Sequence, residues 1–450
     1  MELKDAIIDD RNRGIFRVHR STMTSPEIFQ LELERVFQKS WLYVGHDSEI
    51  PKPGDYLRRK VGGQPIMFVR GTDGEPRVFL NTCPHRGALV CRQERGNASL
   101  FQCFYHAWTF NNQGDLVGMP EEEGYAEGFD RAERSLAPPA RVENYRGMVF
   151  LSYNPEVEDL VDYLGEARIF LDAVIDQGGE EGIRVLPGTY RLSVKANWKL
   201  MVENTVDFYH VVPAHITWIQ YMKSLGREVR SLRSDYTLPG IALGNGHTGR
   251  FSIGNQGSGY LGDRAAQAPY FPGEQKQRLQ KFRGRLVKRY GQKMADWTPK
   301  NGGVGNFLVY PNLVLAHGMK AIRVFNPIAP DVFEFTTWSV VPKTQSDDVI
   351  RKVNREDFFD AQGPGGFQQP DDFEALESCQ IGFTAQGLGW SDISRGMHRP
   401  SEMSDELPMR VFWRQWHAEM LSLPRGVRTD DWESLEEQER TIAAGALAGT

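Results

Sequence analysis

"CPHRGALVCRQERGNASLFQCFYHAW" fills residues 83–108. It sets Cys83 and His85 in one short segment and Cys103 and His106 in another, with seventeen residues between His85 and Cys103. The whole chain of 450 residues has four cysteines, too few for a disulfide scaffold. Two of them stand just ahead of histidines. Two thiols and two imidazoles in two neighbouring loops are soft and borderline donors, and they read as metal ligands. Cys91 and Cys379, the other two, read as small packing residues.

Which metal follows from how the donors are shared. Two Cys and two His suit zinc, but a structural zinc site usually pairs Cys with Cys and His with His at short spacing. Here each loop supplies one of each. A two-iron cluster with unlike irons accounts for that, with two thiolates on one iron and two imidazoles on the other, as in a Rieske [2Fe–2S] centre. Gly87 suits a tight turn at a loop tip. The surroundings agree. From about 41 to 155 the chain reads as short strands and turns, with "QPIMFVRGTDGEPRVFLNTC" as two strands around a Gly-containing turn, and with "TFNNQGDLVG" and "NYRGMVFLSYN" in the same style. This is an all-β unit holding both Cys-His pairs.

Composition sets the outer bounds. Hydrophobic residues are 40% and charged residues 25%, as in ordinary globular proteins. A net charge of −6 gives no reason to expect nucleic-acid or anionic-membrane binding. The start "MELKDAIIDDRNRG" has no apolar signal core, and no run approaches the length of a membrane span. A soluble, cytoplasmic protein is expected.

Outside the β unit the pattern mixes. Ser25 is a candidate N-cap with Pro26 at the first helical position, and Phe29, Leu33, Val36 and Phe37 form one apolar stripe. "VEDLVDYLGEARIFLDAVIDQ" reads as one helix and "TYRLSVKANWK" as a strand leading into a helix over "LMVENTVDFYHVVPAH". "LVYPNLVLAHGMKAIRVFNPIAPDVFEFTTWSVVPK" reads as successive antiparallel strands with turns at Asn326-Pro327 and Pro330-Asp331. "DDVIRKVNREDFFDAQ" and "PDDFEALESCQIGF" read as helices around a Gly/Pro-rich loop, "AQGPGGFQQP". The expected class is α+β. The expected division is an N-terminal helical segment 1–40, an all-β iron–sulfur domain 41–155 and a second metal-binding domain 156–450.

"VENTVDFYHVVPAH" at 202–215 carries the second constellation. On a continuous helix Glu203, Asp207 and His210 share one face. Pro213 cannot continue the ladder, and a bend there would swing His215 back toward His210. Two histidines and one carboxylate form the facial triad of mononuclear non-haem iron, with positions left open. Asp371 and Asp372 are candidates for the carboxylate; both also suit a helix N-terminus after Pro370.

Taken together, "CPHRG…CFYHAW", "NWKLMVENTVDFYH…H" and "GPGGFQQPDD", in that order, resemble the large (α) subunit of Rieske non-haem iron aromatic-ring-hydroxylating dioxygenases, and the likeness runs from the first helix to "RVFWRQWHAEM". The branch it most resembles is the benzoate, anthranilate, terephthalate and salicylate one. The resemblance implies that the all-β domain is a Rieske domain and that the catalytic domain has a large antiparallel sheet flanked by helices, of helix-grip type. It implies Cys83, His85, Cys103 and His106 as cluster ligands, and His210, His215 and Asp372, rather than Asp371, as ligands of a mononuclear Fe(II). Asp207 matches a carboxylate that bridges the two metal sites across a subunit boundary, to His106 of the next subunit, and Asn204 lies near the iron. The Glu203–Asp207 spacing is one residue shorter than in some hydrocarbon dioxygenases of the family.

The activity so implied is hydroxylation of an aromatic ring with O2, giving a cis-dihydrodiol or a catechol. The implied substrate is an aromatic carboxylate; a neutral or polycyclic hydrocarbon is the alternative. Electrons come ultimately from NAD(P)H through a separate reductase or ferredoxin. A head-to-tail α3 ring, or α3β3 with a small β subunit, is the implied assembly. Arg323, on the strand "KAIRVFNP", is a candidate partner for a substrate carboxylate. Two readings from other classes remain: a zinc-stabilised ligand-binding protein, and a simple electron carrier.

Overall fold

The computed structural model describes residues 2–176, 178–226, 240–253, 302–316, 321–354, 366–385, 387–399 and 401–423. The chain divides into two compact units, one of residues 37–160 and one that joins 1–36 to 161–450.

The discontinuous unit opens with a hairpin missing from the sequence reading, β1 (Ile7–Asp10) against β2 (Ile15–His19). The helix α1 (Pro26–Glu32) follows, capped as expected: Ser25 Oγ accepts the Ile28 N–H at 3.2 Å. It widens into a π-turn over Leu33–Phe37, which buries Val36 and Phe37.

Residues 37–160 build three small antiparallel sheets. The strands are β3 (Leu42–His46), β4 (Asp55–Val61), β5 (Gln64–Arg70), β6 (Pro76–Leu80), β7 (Arg95–Asn97), β8 (Leu100–Gln102), β9 (Thr109–Asn111), β10 (Leu116–Gly118), β11 (Arg141–Tyr145) and β12 (Met148–Ser152). They pair in the orders β6-β5-β4-β7, β10-β9-β8 and β11-β12-β3. One loop leaves β6 at Cys83; the other joins β8 to β9 through Cys103.

The remaining elements are α2 (Leu160–Leu164), α3 (Ala167–Asp176), β13 (Ile183–Val194), α4 (Trp198–Val206), α5 (Val211–Ala214), α6 (Ile216–Ser224), β14 (Ile241–Ala242), β15 (Thr248–Ile253), β16 (Gly302–Val309), β17 (Leu313–Ala316), β18 (Ala321–Ala329), β19 (Val332–Pro342), α7 (Asp347–Asn354), α8 (Gln369–Gly382), β20 (Trp390–Asp392) and α9 (Leu407–Met420). A seven-stranded antiparallel sheet runs in the order β13-β19-β18-β17-β16-β15-β14, and β20 adds to the N-terminal hairpin. Strand alternation gives this sheet two faces. Phe307 packs on Phe170 of α3, with ring centroids 5.2 Å apart. The opposite face carries α4: Asn306 Nδ2 donates to the Thr205 carbonyl at 3.2 Å, and Arg250 Nε to the Val206 carbonyl at 3.1 Å.

Several local readings change. The helix expected over 157–177 breaks between α2 and α3, where Gly165 takes φ +46°. Asn326-Pro327 is no turn but lies inside β18; Pro327, lacking an N–H, sits where the register with β19 shifts. The turn at Pro330-Asp331 does connect β18 to β19. Residues 317–320, much of the helix expected over 347–362 and half of the Gly/Pro-rich loop lie outside the described residues. Cys91 is buried as expected, whereas Cys379 is exposed.

A buried charge ties two distant segments, α1 and α9, to the start of α4. Glu32 of α1 and Lys199 of α4 are both fully buried, with Nζ 2.5 Å from Oε1. The same carboxylate accepts the indole N–H of Trp198 at 2.9 Å and that of Trp416 of α9 at 2.8 Å. Truncating one member of such a pair strands the other charge, at about 3–5 kcal/mol.

Candidate metal centres

The two Cys-His loops share one backbone design. Gly87 N–H donates to the Cys83 carbonyl and Cys83 N–H to that of Ala88, both at 2.8 Å. In the second loop Ala107 N–H donates to the Cys103 carbonyl at 2.9 Å and Cys103 N–H to that of Trp108 at 2.8 Å. Each tip needs a left-handed residue: Gly87 has φ +75°, and Ala107, with a Cβ, is held at φ +56°. Asn81, unnoticed in the sequence, closes the base of the first loop. Its buried amide donates to the Cys91 carbonyl and accepts the Cys91 N–H, both at 2.8 Å.

The loops bring the donors together. Cys83 and Cys103 are buried, and burial, followed by the neighbouring Cys103 thiol, pushes the Cys83 thiol up against the backbone N–H groups of His85 and Arg86. The His85 and His106 rings lie 4.5 Å apart between centroids. His85 Nδ1 is buried without a hydrogen-bond partner. A buried ring nitrogen left so is costly unless something else takes its lone pair. Two adjacent thiols and two adjacent imidazoles, one with an orphaned nitrogen, fit a two-iron cluster.

The second site forms where α4 ends. Asn197 caps α4 by accepting the Lys199 N–H at 3.0 Å. The helix stops at Val206, so Glu203, Asp207 and His210 do not share a helical face. The cause is Asp207: Oδ1 accepts the Tyr209 N–H at 2.7 Å and Oδ2 the His210 N–H at 2.9 Å, which caps the next turn in place of continuing α4. Pro213 is not the bend. It lies within the single turn of α5, where a missing N–H costs little.

This break points both imidazoles at α8. His210 Nε2 is 3.4 Å and His215 Nε2 3.3 Å from Asp372 Oδ1. One donor atom from each of the three lies within 4.8 Å of the others. Asn204 Nδ2 donates to the same oxygen at 3.0 Å and approaches His210 Nε2 at 3.4 Å. Neither acid caps α8. Asp372 is on its buried face with Gln369, Leu376 and Gln380, while Asp371 Oδ2 lies 3.4 Å from His215 Nδ1. Two imidazole nitrogens and one carboxylate oxygen gathered this closely fit a facial-triad iron.

The chain matches the model of the Rieske [2Fe-2S] domain over residues 40–138 and that of the ring-hydroxylating alpha subunit (catalytic domain) over residues 184–422. It belongs to the ring-hydroxylating dioxygenase alpha-subunit family. Toluate 1,2-dioxygenase subunit alpha of Pseudomonas putida is 36% identical over 408 residues, covering 89% of this chain and 86% of that one. Anthranilate 1,2-dioxygenase large subunit of Acinetobacter baylyi is 34% identical, covering 88% and 84%. A solved structure of naphthalene 1,2-dioxygenase with indole bound in the active site superposes with a TM-score of 0.75 over 99% of both chains at 26% identity. The cofactors of such an alpha subunit are a Rieske [2Fe–2S] cluster and a mononuclear non-haem iron.

Electrostatics in this alpha subunit favour a cation between its imidazoles. Burial disfavours charge on His210, but Asp207, whose Oδ2 lies 2.7 Å from Nδ1, and Asp372 outweigh it and raise the pKa to about 9. Burial likewise opposes the Asp372 carboxylate, yet His210 and His215 hold it well below the usual range. A divalent metal replaces such protons. Arg323 lies opposite Val314 and Thr337 on the sheet face toward α4. It is buried, and burial lowers its pKa to about 10 against the pull of Asp372. Arg250, which sequence reading passed over, also donates to the Asp405 carbonyl at 3.0 Å, so one guanidinium joins the end of α4 to the segment ahead of α9. Its signal in sequence is weak, a cation between Gly249 and Phe251 in the strand "TGRFSI".

Proposed function

We propose that Cys83, His85, Cys103 and His106 hold the Rieske cluster, that His210, His215 and Asp372 hold the mononuclear iron, and that the substrate is an aromatic carboxylate. The cluster supplies single electrons and the iron activates O2; binding, orientation and proton handling fall to the protein. Asp207 keeps His210 in the tautomer that carries a proton on Nδ1 and leaves Nε2 for metal, the role of an outer carboxylate beside a ligating histidine. Asp371 does the same for His215. Asn204 holds Asp372 Oδ1 in place. Ring, O2, two electrons and two protons then give a cis-dihydrodiol, or a catechol where one dihydroxylated carbon loses an amine as ammonia and a carboxylate on its neighbour leaves as CO2.

The observation that carries the substrate class is Arg323. A buried guanidinium on the site-facing side of the sheet, felt by Asp372, suits a carboxylate in a desolvated pocket. Toluate, anthranilate and 2-halobenzoate dioxygenases, at 36, 34 and 32% identity over 88–89% of this chain, support the same class; benzene and naphthalene dioxygenases reach 32% over 78–79% of it. Asp207 is further proposed as the link to His106 of the neighbouring subunit in a head-to-tail ring, with a small β subunit and a reductase or ferredoxin as partners.

The test is product analysis and steady-state kinetics on benzoate, anthranilate, salicylate and naphthalene, with Arg323→Leu beside the wild type. A charged hydrogen-bonded pair contributes about 1.5–3 kcal/mol, so KM for the carboxylates rises roughly 10–100-fold in Arg323→Leu while naphthalene kinetics hold. Equal effects on both, or turnover of naphthalene alone, overturn the assignment.

A further inference from the structure

This inference rests on the cluster assignment above. His85 stacks on Trp108, with ring centroids 5.0 Å apart and planes within 7°. Trp108 is buried and meets two further rings edge-on, Tyr125 at 6.2 Å and Phe129 at 6.1 Å. Those two lie 4.5 Å apart, and Tyr125 is 38% exposed. Ring contacts thus run from a cluster-binding imidazole to solvent in two steps. Val117 adds exposed apolar surface next to them, its carbonyl 3.5 Å from the Arg131 guanidinium.

Charge around these rings is predominantly negative. Residues 119–134 contain six carboxylates and two guanidinium groups. Both guanidinium groups are paired, Arg131 with Glu122 and Arg134 with Glu133, and Arg134 also lies 5.6 Å from the Phe129 ring. Asp130 caps the Ala132 N–H at 2.8 Å. Exposed Glu121, Glu123 and Glu127 are left flanking Tyr125. A second aromatic face of the same unit has the opposite sign: Arg92 lies 4.6 Å from the exposed Phe104 ring and Arg86 5.9 Å from that of Tyr105. A partner of either charge is therefore directed to one face and repelled from the other.

We propose that the Trp108–Tyr125–Phe129 face is where an electron donor docks, and that the donor is a redox protein with a basic rim around its cofactor. Electron-transfer encounters bury little surface, below about 1,200 Å², so a patch of this size suffices. Their rate is set by electrostatic steering. In the step itself the donor is oxidised by one electron and the cluster reduced by one; no bond forms or breaks in either protein.

The probe is mitochondrial cytochrome c, a haem protein ringed with lysines, run against the holoenzyme with its cluster chemically reduced beforehand. Stopped-flow mixing gives the second-order rate constant for haem reduction as ionic strength rises. The combined variant Glu121→Lys/Glu123→Lys/Glu127→Lys is expected to lose at least about tenfold at low salt and most of its salt dependence. The equal charge change Glu27→Lys/Glu34→Lys/Asp331→Lys is expected to stay near wild type, and Tyr125→Ala to be several-fold slower. As a readout independent of turnover, carbodiimide coupling to the cytochrome lysines is expected to map to Glu121, Glu123 and Glu127 by mass spectrometry. Equal slowing in both charge variants, or cross-links concentrated elsewhere, overturns the docking face. An unchanged cluster absorption in every variant separates that result from a failure of the cluster assignment, which would appear as no such absorption in the wild type.

Discussion

Replacing Asp207 with Asn keeps the shape of the side chain and removes its charge. In the wild type Oδ2 faces both His210 Nδ1 at 2.7 Å and His210 N at 2.9 Å, and Oδ1 takes Tyr209 N. The amide keeps one acceptor oxygen for these three donors. Hydrogen bonds to charged groups contribute about 1.5–3 kcal/mol against about 1 kcal/mol for neutral ones, so the ring nitrogen of His210 loses about 1–2 kcal/mol of support. Loss of an outer carboxylate beside a ligating histidine typically costs 10–100-fold in metal affinity, about 1.4–2.8 kcal/mol, which is the same range. Fe(II) affinity in Asp207→Asn is therefore expected to fall roughly 10–100-fold, measured by competition with a coloured chelator. The cluster absorption, read in the same sample, is expected to hold, because its four proposed ligands lie in the other unit. Turnover still missing at saturating Fe(II) then measures the proposed electron link through Asp207. Unchanged iron affinity with unchanged turnover would make Asp207 a helix cap and nothing more.

The two neighbouring acids of α8 separate in the same assay. Asp372→Ala is expected to abolish mononuclear iron binding and turnover while sparing the cluster; Asp371→Ala is expected to keep the iron with affinity lowered roughly 10–100-fold. The reverse outcome would exchange their roles. Glu203 gives a pH signature. Burial, with Glu406 and Asp207 adding to it and the Trp413 N–H at 2.5 Å opposing it, raises its pKa from 4.5 to about 7. The folded chain keeps a proton that the unfolded chain has released, so this group costs stability progressively as pH rises from 4.5 to about 7, and fully above that. Glu203→Gln, which still offers Trp413 an oxygen, is expected to gain stability over wild type between about pH 5 and about pH 8, by on the order of 3 kcal/mol at most. Thermal unfolding at both pH values measures it, and a difference independent of pH would contradict the burial argument.

How far the sequence could be read depends on whether each signal was local. The Cys-His loops are local: ligands, turn residue and closing bonds all fall within 83–88 and 103–108, so spacing alone indicated them. The strands around Arg323 were legible as apolar runs between turn residues, but not that Pro327 stays in β18, since its missing N–H is tolerated only where the register with β19 shifts. The end of α4 was illegible. Periodicity favoured a longer helix, and what stops it is one carboxylate competing for the N–H groups at 209 and 210, with Arg250, distant in sequence, taking the Val206 carbonyl. Glu32 reads as the polar side of an amphipathic helix; its burial depends on Lys199, Trp198 and Trp416, all more than a hundred residues away. Asp371 and Asp372 could not be told apart by spacing; they differ in the burial of Asp372 on α8 and in which imidazole nitrogens approach each.

The central claim is that one chain carries a Rieske cluster on its all-β unit and a separate iron beneath its large sheet. Iron and acid-labile sulfide counted on the purified protein, with its absorption spectrum, test this most directly. The account predicts about three irons and two sulfides per chain, with Rieske absorption and substrate-dependent O2 consumption. Colourless protein holding only zinc would contradict it outright, and two irons with two sulfides and no O2 consumption would leave an electron carrier in place of an oxygenase.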